Sequence, residues 1–305
     1  MEERDLIIIG AGPAGLTAGI YGIRAELKTL VIESKLPGGQ IATAGEVENY
    51  PGFPEGIMGM ELAENMRLHA ENAGVEIRSL EEVQRIERGN GFTIHTPNAQ
   101  YKAKAVIIAT GLEHRKLGIP GEKEFAGKGV SYCFTCDGPL YRGRKVVVVG
   151  AGTGAVQGAL YLDDLAKEVT IITKSEKVRT AEAIMKSRLE NSDVKVMSKT
   201  KPEEIVGGQF AEGIKVLDLE KNEEKTIEAD GIFVEIGKKP NTAFLKDSGL
   251  KLEKGYVAVD EEQKTNIPGI FAAGDVTTNK VKQLGVAVAQ GSVAALSAYD
   301  YIKRL

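Results

Sequence analysis

Apolar residues in this chain fall into short unbroken runs that end in glycine, and the same order of runs occurs twice. Asp5-Leu6-Ile7-Ile8-Ile9 meets a glycine-rich segment, then a helix-like stretch from Ala14 to Arg24, then Thr29-Leu30-Val31-Ile32-Glu33. Such runs, without polar alternation, predict strands buried on both faces of a parallel sheet. Strand, helix and strand within about 30 residues predict a βαβ unit. Gly38 to Pro54 is rich in Gly, Pro and Asn and predicts a loop. Met60 to Ala73 predicts a helix stopped by Gly74, and Val83 to Gly111 predicts strands ending at Ala105-Val106-Ile107-Ile108-Ala109-Thr110-Gly111.

The order then restarts. Lys145-Val146-Val147-Val148-Val149 leads into a second glycine run, a helix from about Ala155 to Ala166 and the strand Glu168-Val169-Thr170-Ile171-Ile172-Thr173. Gly213 to Leu219 and Thr226 to Ile236 predict a β-hairpin and a closing strand, so Gly231–Gly237 matches Ala105–Gly111 in a repeated design. A strand at Gly269-Ile270-Phe271-Ala272-Ala273 and a helix from about Gln283 follow the second unit and are expected to return to the first. The expected class is α/β with two Rossmann-like dinucleotide-binding domains, each a parallel sheet plus a β-meander in three layers, the second inserted into the first. The expected boundaries are residues 1–112 with 241–305, and residues 113–240.

Composition narrows the chemistry. At 305 residues, 42% apolar and 27% charged, the chain has an ordinary soluble globular make-up, and its 36 glycines point to many tight turns. A formal net charge of −4 argues against a nucleic-acid partner. No apolar run approaches the roughly 20 residues of a membrane span. The acidic start Met1-Glu2-Glu3-Arg4-Asp5 runs straight into a strand, with no signal peptide expected, so the cytoplasm is the expected location. The only cysteines are Cys133 and Cys136, a spacing that reads as redox or metal. A zinc site needs two more ligands, and His69, His95 and His114 are scattered, so no metal is expected.

The first glycine run is Gly10-Ala11-Gly12-Pro13-Ala14-Gly15. Gly10 permits the turn after the strand, Gly12 lets backbone approach a pyrophosphate, and Gly15 lets helix and strand pack closely. The phosphate then meets free N–H groups at the positive helix end. Glu33, about 20 residues on, is placed to take the adenosine ribose hydroxyls. Thr265-Asn266-Ile267-Pro268-Gly269-Ile270-Phe271-Ala272-Ala273-Gly274-Asp275 resembles a flavoprotein motif whose Asp meets the ribityl chain, and Ala109-Thr110-Gly111 resembles a second flavoprotein motif. Both favour FAD over NAD in this domain.

With Cys133-Phe134-Thr135-Cys136-Asp137 in the second unit, the whole chain resembles the low-molecular-weight thioredoxin reductases. Gly38-Gly39-Gln40 and Glu48-Asn49-Tyr50-Pro51-Gly52 resemble that family's flavin-contacting loops, and Lys282-Gln283 its Arg-Gln pair at the last helix. A dithiol in the second unit sets the family apart from glutathione-reductase-like enzymes. The resemblance implies an FAD-dependent enzyme that passes two electrons through Cys133 and Cys136 to thioredoxin, works as a homodimer and rotates about hinges near 112–117 and 237–242. FAD is expected on Gly10, Gly12, Pro13, Ala14, Gly15, Glu33, Gly39, Gln40, Asn49, Thr110, Gly111, Asp275, Lys282 and Gln283. Asp137 is expected either to protonate the thiolate that leaves as the disulfide opens or to cap a helix.

The second run, Gly150-Ala151-Gly152-Thr153-Gly154-Ala155, keeps the fingerprint with an allowed alanine. Its second strand ends differently from the family pattern. Where that pattern has His-Arg-Arg and a further Arg, this chain has Thr173-Lys174-Ser175-Glu176-Lys177-Val178-Arg179. Lysine lacks the forked geometry that suits a 2′-phosphate, and Thr173 supplies no carboxylate for NAD. NADPH on Gly150, Gly152, Thr153, Gly154, Lys174, Lys177 and Arg179 is the expected donor. Reduced deazaflavin or ferredoxin is the alternative, since Thr173 to Met185 resembles archaeal relatives of that kind, and NADH is a third. Two other functions are open from the sequence: a flavin-dependent thiol oxidase passing electrons to O₂, and a non-catalytic flavin-binding sensor module.

Overall fold

The computed structural model describes residues 1–44, 46–180 and 183–305. Ala181 and Glu182, within the Thr173–Met185 stretch, lie outside the described residues. Two compact units are present: Met1–Glu113 with Lys239–Leu305, and His114–Lys238. The chain passes between them at Leu112–His114 and Lys238–Pro240, and these two passages pair as a two-stranded ribbon.

In chain order, the first unit opens with β1 (Glu2–Ile9), α1 (Pro13–Arg24) and β2 (Thr29–Ile32). Then come α2 (Gly59–Asn72), β3 (Glu76–Arg78), β4 (Arg85–Gly89), β5 (Gly91–His95) and β6 (Gln100–Ile108). The second unit contains β7 (Val130–Ser131), α3 (Phe134–Asp137), β8 (Lys145–Gly150), α4 (Thr153–Asp163), β9 (Glu168–Ile172), α5 (Ala183–Glu190) and β10 (Lys195–Met197). It closes with β11 (Thr200–Gly207), β12 (Ala211–Asp218), β13 (Glu223–Glu228) and β14 (Gly231–Glu235). Back in the first unit, β15 (Ile270–Ala272) precedes the long α6 (Leu284–Ile302).

The first unit's sheet has the order β3-β2-β1-β6-β5-β4, with β15 on the second half of β6. β3, β2, β1, β6 and β15 are parallel, with Ile7 opposite Val106 and Val106 opposite Ile270. Their carboxyl ends therefore share one edge. Leu6, Ile8, Val31, Ile107 and Phe271 face α1 and α6, while Ile7, Leu30, Val106 and Ile108 face a layer containing Ile86, Phe92, Leu245 and Val257. Burial on both faces is why these strands read as continuous apolar runs. Each such side chain contributes roughly 1.5–3 kcal/mol by leaving water.

The second unit repeats the plan with parallel order β7-β14-β8-β9-β10. Val146, Val148 and Phe233 pack on Ala155, Ala159 and Leu162 of α4, and Val147, Val149 and Val234 pack on the meander through Ile205, Ile214 and Val216. That meander is three-stranded, β11-β12-β13, where the sequence predicted a hairpin and a closing strand. The unforeseen strand, β11, reads TKPEEIVG, and its register shifts between Pro202 and Glu204. Proline is tolerated on an edge strand or at such an irregularity, and little apolar patterning survives there to announce the strand. No helix among the described residues is long and apolar enough to cross a membrane.

Candidate active site

In the first unit the parallel strands end on the glycine run. Gly10 has φ +106°, and a β-carbon there would stand 2.4 Å from the Ala109 carbonyl oxygen, so only glycine fits. Gly12 is the extended N-cap of α1, Pro13 occupies the first turn, and no side chain caps that end. Pro13 has no N–H to lose at this position, and a helix start of this kind suits an anion such as a phosphate. Gly39, with φ +59°, lays its backbone on the same turn: its β-carbon would lie 2.9 Å from the Gly12 Cα. Ala14 is held from behind, since β-carbons at Gly274 and Gly291 would meet it at 2.9 and 2.2 Å.

Glu33 follows β2 at this edge, half-buried. Its Oε2 accepts the Ala11 N–H at 2.7 Å, and its Oε1 accepts the Lys35 N–H at 2.9 Å and the Ser34 hydroxyl at 3.2 Å. An ionised carboxylate has about four lone-pair sites, so acceptor capacity remains for a sugar hydroxyl. After β6, the Thr110 hydroxyl donates to the Asn241 carbonyl at 2.8 Å, and the Asn241 amide donates back to the Thr110 carbonyl at 3.0 Å. Asn241 also donates its N–H to the Gly111 carbonyl at 3.1 Å. After β15, the Gly274 N–H donates to the buried Gln290 side chain at 2.8 Å. Lys282 Nζ donates to the carbonyls of Asp275 and Thr277 at 2.9 and 2.7 Å. Burial holds the Lys282 ammonium below its ordinary range, and the Asp275 charge works against that shift. Gln283 caps α6 and accepts from Asn49 Nδ2 at 3.4 Å, and Gln40 donates to the Leu112 carbonyl at 3.1 Å. The uncapped helix end, the glycine cradle and the pinned carboxylate suit a dinucleotide. Asn241 and Gln290, which stabilise this edge, were not foreseen from the sequence.

The second unit holds the sulfurs. Cys133 and Cys136 are joined as a disulfide with Cα atoms 5.4 Å apart. Cys133 is the N-cap of α3, and its Sγ accepts the Cys136 N–H at 3.1 Å, with the Thr135 hydroxyl 3.5 Å away. Buried Ser131 accepts the Cys133 N–H at 3.0 Å. Phe134, between the cysteines, seats the turn on α4. A β-carbon at Gly158 would lie 2.9 Å from the Phe134 ring, and that ring meets Tyr161 at 5.7 Å. Cys136 is exposed and Cys133 half-buried. Asp137 follows in the same turn, and its side chain makes no capping hydrogen bond. Asp137 also stands at the N-cap position of the 3-10 turn Gly138–Tyr141.

Gly152 caps α4 as Gly12 caps α1, again without a side-chain cap. The loop after β9 reaches back to this fingerprint, with the Arg179 N–H donating to the Ala151 carbonyl at 2.6 Å. Lys174, Lys177 and Arg179 are exposed there, and among the described residues no ion pair occupies them. Thr173 is buried and accepts the Ser175 N–H at 3.1 Å, so the position after β9 that matches Glu33 after β2 carries a hydroxyl and no carboxylate. One group here escaped the sequence reading. Glu235 ends β14 and is only 9% exposed, and its Oε2 lies 3.0 Å from where a Gly154 β-carbon would be. Burial pushes its carboxyl up to about 7, against the pull of the Lys238 charge. An acid closing an otherwise apolar strand was the available signal. Among the described residues no cluster of three His, Cys, Asp or Glu could hold a metal ion.

Two nucleotide-type units with a disulfide seated in the second define a class, and residues 4–291 match the family "pyridine nucleotide-disulphide oxidoreductase". The chain belongs to that family. Within it, the chain is 41% identical over 308 residues to the thioredoxin reductase of Listeria monocytogenes, covering 100% of this chain and 96% of that protein. It superimposes on the crystal structure of T. acidophilum thioredoxin reductase with a TM-score of 0.92 at 41% identity, covering 98% and 99% of the two chains. A ferredoxin-flavin thioredoxin reductase from Clostridium acetobutylicum is 36% identical over 100% of both chains, with a TM-score of 0.56.

Proposed function

We propose that this chain is an FAD-dependent thioredoxin-disulfide reductase, with Cys133 and Cys136 as the relay to the protein substrate. The observation that carries the reading is a closed Cys-x-x-Cys pair built onto the second of two dinucleotide-type units. Gly10, Gly12, Pro13, Ala14, Gly15, Glu33 and Gly39 would hold the FAD diphosphate and ribose, with Thr110, Gly111, Asp275, Lys282, Gln283, Asn49 and Gln40 around the rest. FAD held there would supply the two-electron carrier that the disulfide chemistry needs.

The protein's own part is to take the charge that arrives on sulfur. Opening the disulfide with two electrons and one proton leaves one thiol and one thiolate. The thiolate belongs on Cys133, because the Cys136 N–H already points at that sulfur, and a hydrogen bond to the charged form lowers a thiol's pKa. Asp137 is the proton carrier in the same turn. The thiolate then attacks the partner's disulfide, and the second sulfur releases the mixed disulfide, so both are needed. The working unit we take to be a cytoplasmic homodimer.

For the donor we propose NADPH, taken at Gly150, Gly152, Thr153 and Gly154 with Lys174, Lys177 and Arg179 for its 2′-phosphate. Buried Thr173 and the Glu235 carboxyl against the fingerprint favour a second reading, a reduced ferredoxin or deazaflavin. Anaerobic bleaching of the flavin absorbance, run in parallel with NADPH, NADH, reduced deazaflavin and reduced ferredoxin, decides between them. Rapid bleaching by NADPH is the expected result. Bleaching by ferredoxin or deazaflavin alone moves the donor to the second reading, and failure of all four removes the reductase assignment.

Glu33→Ala tests the first cradle separately. A carboxylate hydrogen bond contributes about 1.5–3 kcal/mol, so the dissociation constant for FAD should rise by roughly 10- to 100-fold. The flavin-to-protein absorbance ratio after ultrafiltration reads this directly, and an unchanged ratio takes Glu33 out of the site.

A further inference from the structure

Glu235 has no role in the relay just described, yet it lies where the second nucleotide would be taken. Its side chain is nine-tenths buried, and no hydrogen bond or ion pair among the described residues reaches its carboxyl. That carboxyl is aimed at the first turn of α4, into space left open by the missing side chain of Gly154. β8 and β14 fix the register, with Gly150 opposite Glu235, so the carboxyl cannot slide away from the fingerprint. An uncapped helix start attracts a pyrophosphate, but a second negative charge in a poorly hydrated site repels it.

We infer that Glu235 controls admission to the second nucleotide site by charge: a dinucleotide pyrophosphate settles on the first turn of α4 only when Glu235 is neutral, and it then accepts a hydrogen bond from that carboxyl. The inference rests on the dinucleotide-donor reading above and names the residue that limits it. Lys238, three residues on, is the charge that opposes protonation. β7 carries no titratable side chain. β8 carries only Lys145 at its far end, paired with Glu228 at 2.9 Å. α4 brings Tyr161 and Asp163, both beyond its first turn, and the loop from β9 brings exposed Lys174, Glu176, Lys177 and Arg179. Burial places the carboxyl near 7, so the gate works within the ordinary range of pH.

The sign follows from the neutral form being the binding form: affinity falls as pH rises. Titration calorimetry of the oxidised, FAD-loaded protein with NAD⁺ and NADP⁺ between pH 6.5 and 8.5 reads it without turnover. NAD⁺ serves as the control because it has no 2′-phosphate to titrate. In the wild type the dissociation constant should rise about tenfold per pH unit above 7. In Glu235→Gln it should stay flat, with binding at pH 8.5 tenfold or more tighter than in the wild type. Glu235→Ala should also be flat but weaker than Glu235→Gln, having no donor. Flavin content in each variant reports folding. An equal pH slope in Glu235→Gln and the wild type overturns the inference, as does failure of all three proteins to bind either dinucleotide at any pH. A separate arm adds thioredoxin to protein already reduced by stoichiometric dithionite. Loss of transfer there strikes the reductase reading and leaves the binding result on Glu235 standing.

Discussion

Replacing Cys133 or Cys136 by serine should lower thioredoxin-disulfide turnover by on the order of 10³-fold or more while FAD stays bound. Serine is nearly isosteric, so the Ser131 hydrogen bond to residue 133 and the seat of Phe134 on α4 survive. What disappears is the sulfur that must be reduced or must release the partner. A serine hydroxyl has no thiolate to offer near neutral pH and cannot form the mixed disulfide. The flavin residues proposed above belong to the other compact unit, so the yellow chromophore should be retained in both variants. Turnover is measured as free thiol appearing on thioredoxin, and retention as flavin absorbance in the same sample. Activity near wild type in either variant, or loss of flavin in both, would remove the pair from the catalytic route.

Gly15→Ala should have the second large effect, on stability and cofactor together. The added carbon would lie 1.8 Å from the Gly10 carbonyl oxygen and 2.9 Å from its carbon, both backbone atoms of the turn that shapes the cradle. Neither can yield without lifting α1 from β1. Overpacking of this kind costs about 1–3 kcal/mol or more, which in a domain of this size lowers the melting temperature by several degrees, at roughly 2–4 °C per kcal/mol. Retained FAD should fall with it. Gly152→Ala is the matched control, because a β-carbon there has nothing within 4 Å and its φ of −100° suits any residue. That variant should melt like the wild type and keep its flavin. Equal melting temperatures for both variants would show that the Gly15 contact does not hold the turn.

The features legible from sequence are those set within one local stretch. Both βαβ units show because their strands are buried on two faces and written as unbroken apolar runs. Gly10 and Gly15 show because no other residue fits their turns. The disulfide spacing is likewise a local fact. What was hidden depends on partners far along the chain. β11 is polar, carries Pro202 and is a strand because β12 pairs with it. Asn241 matters through Thr110, and Gln290 through Gly274, each across a long loop or an inserted unit. Glu235 looked like the polar end of a strand. Only its register against Gly150 turns the carboxyl toward α4 and away from water. Lys282 was expected among the cofactor residues, and its ammonium is found fastening the two carbonyls of the Asp275 segment.

The first unit is written in two pieces, and its sheet is complete only when β15 lies along β6 and α6 along α1. During synthesis the ribosome must therefore deliver all of His114–Lys238 before the amino-terminal strands can finish their own core. The disulfide-bearing unit is contiguous and has every strand it needs as soon as β14 emerges. A nascent chain of this protein thus carries a half-covered apolar sheet for most of its translation, the stage at which exposed strands are most open to wrong partners. Stop codons upstream of Ile270 leave that sheet permanently unfinished, whatever becomes of the sulfurs.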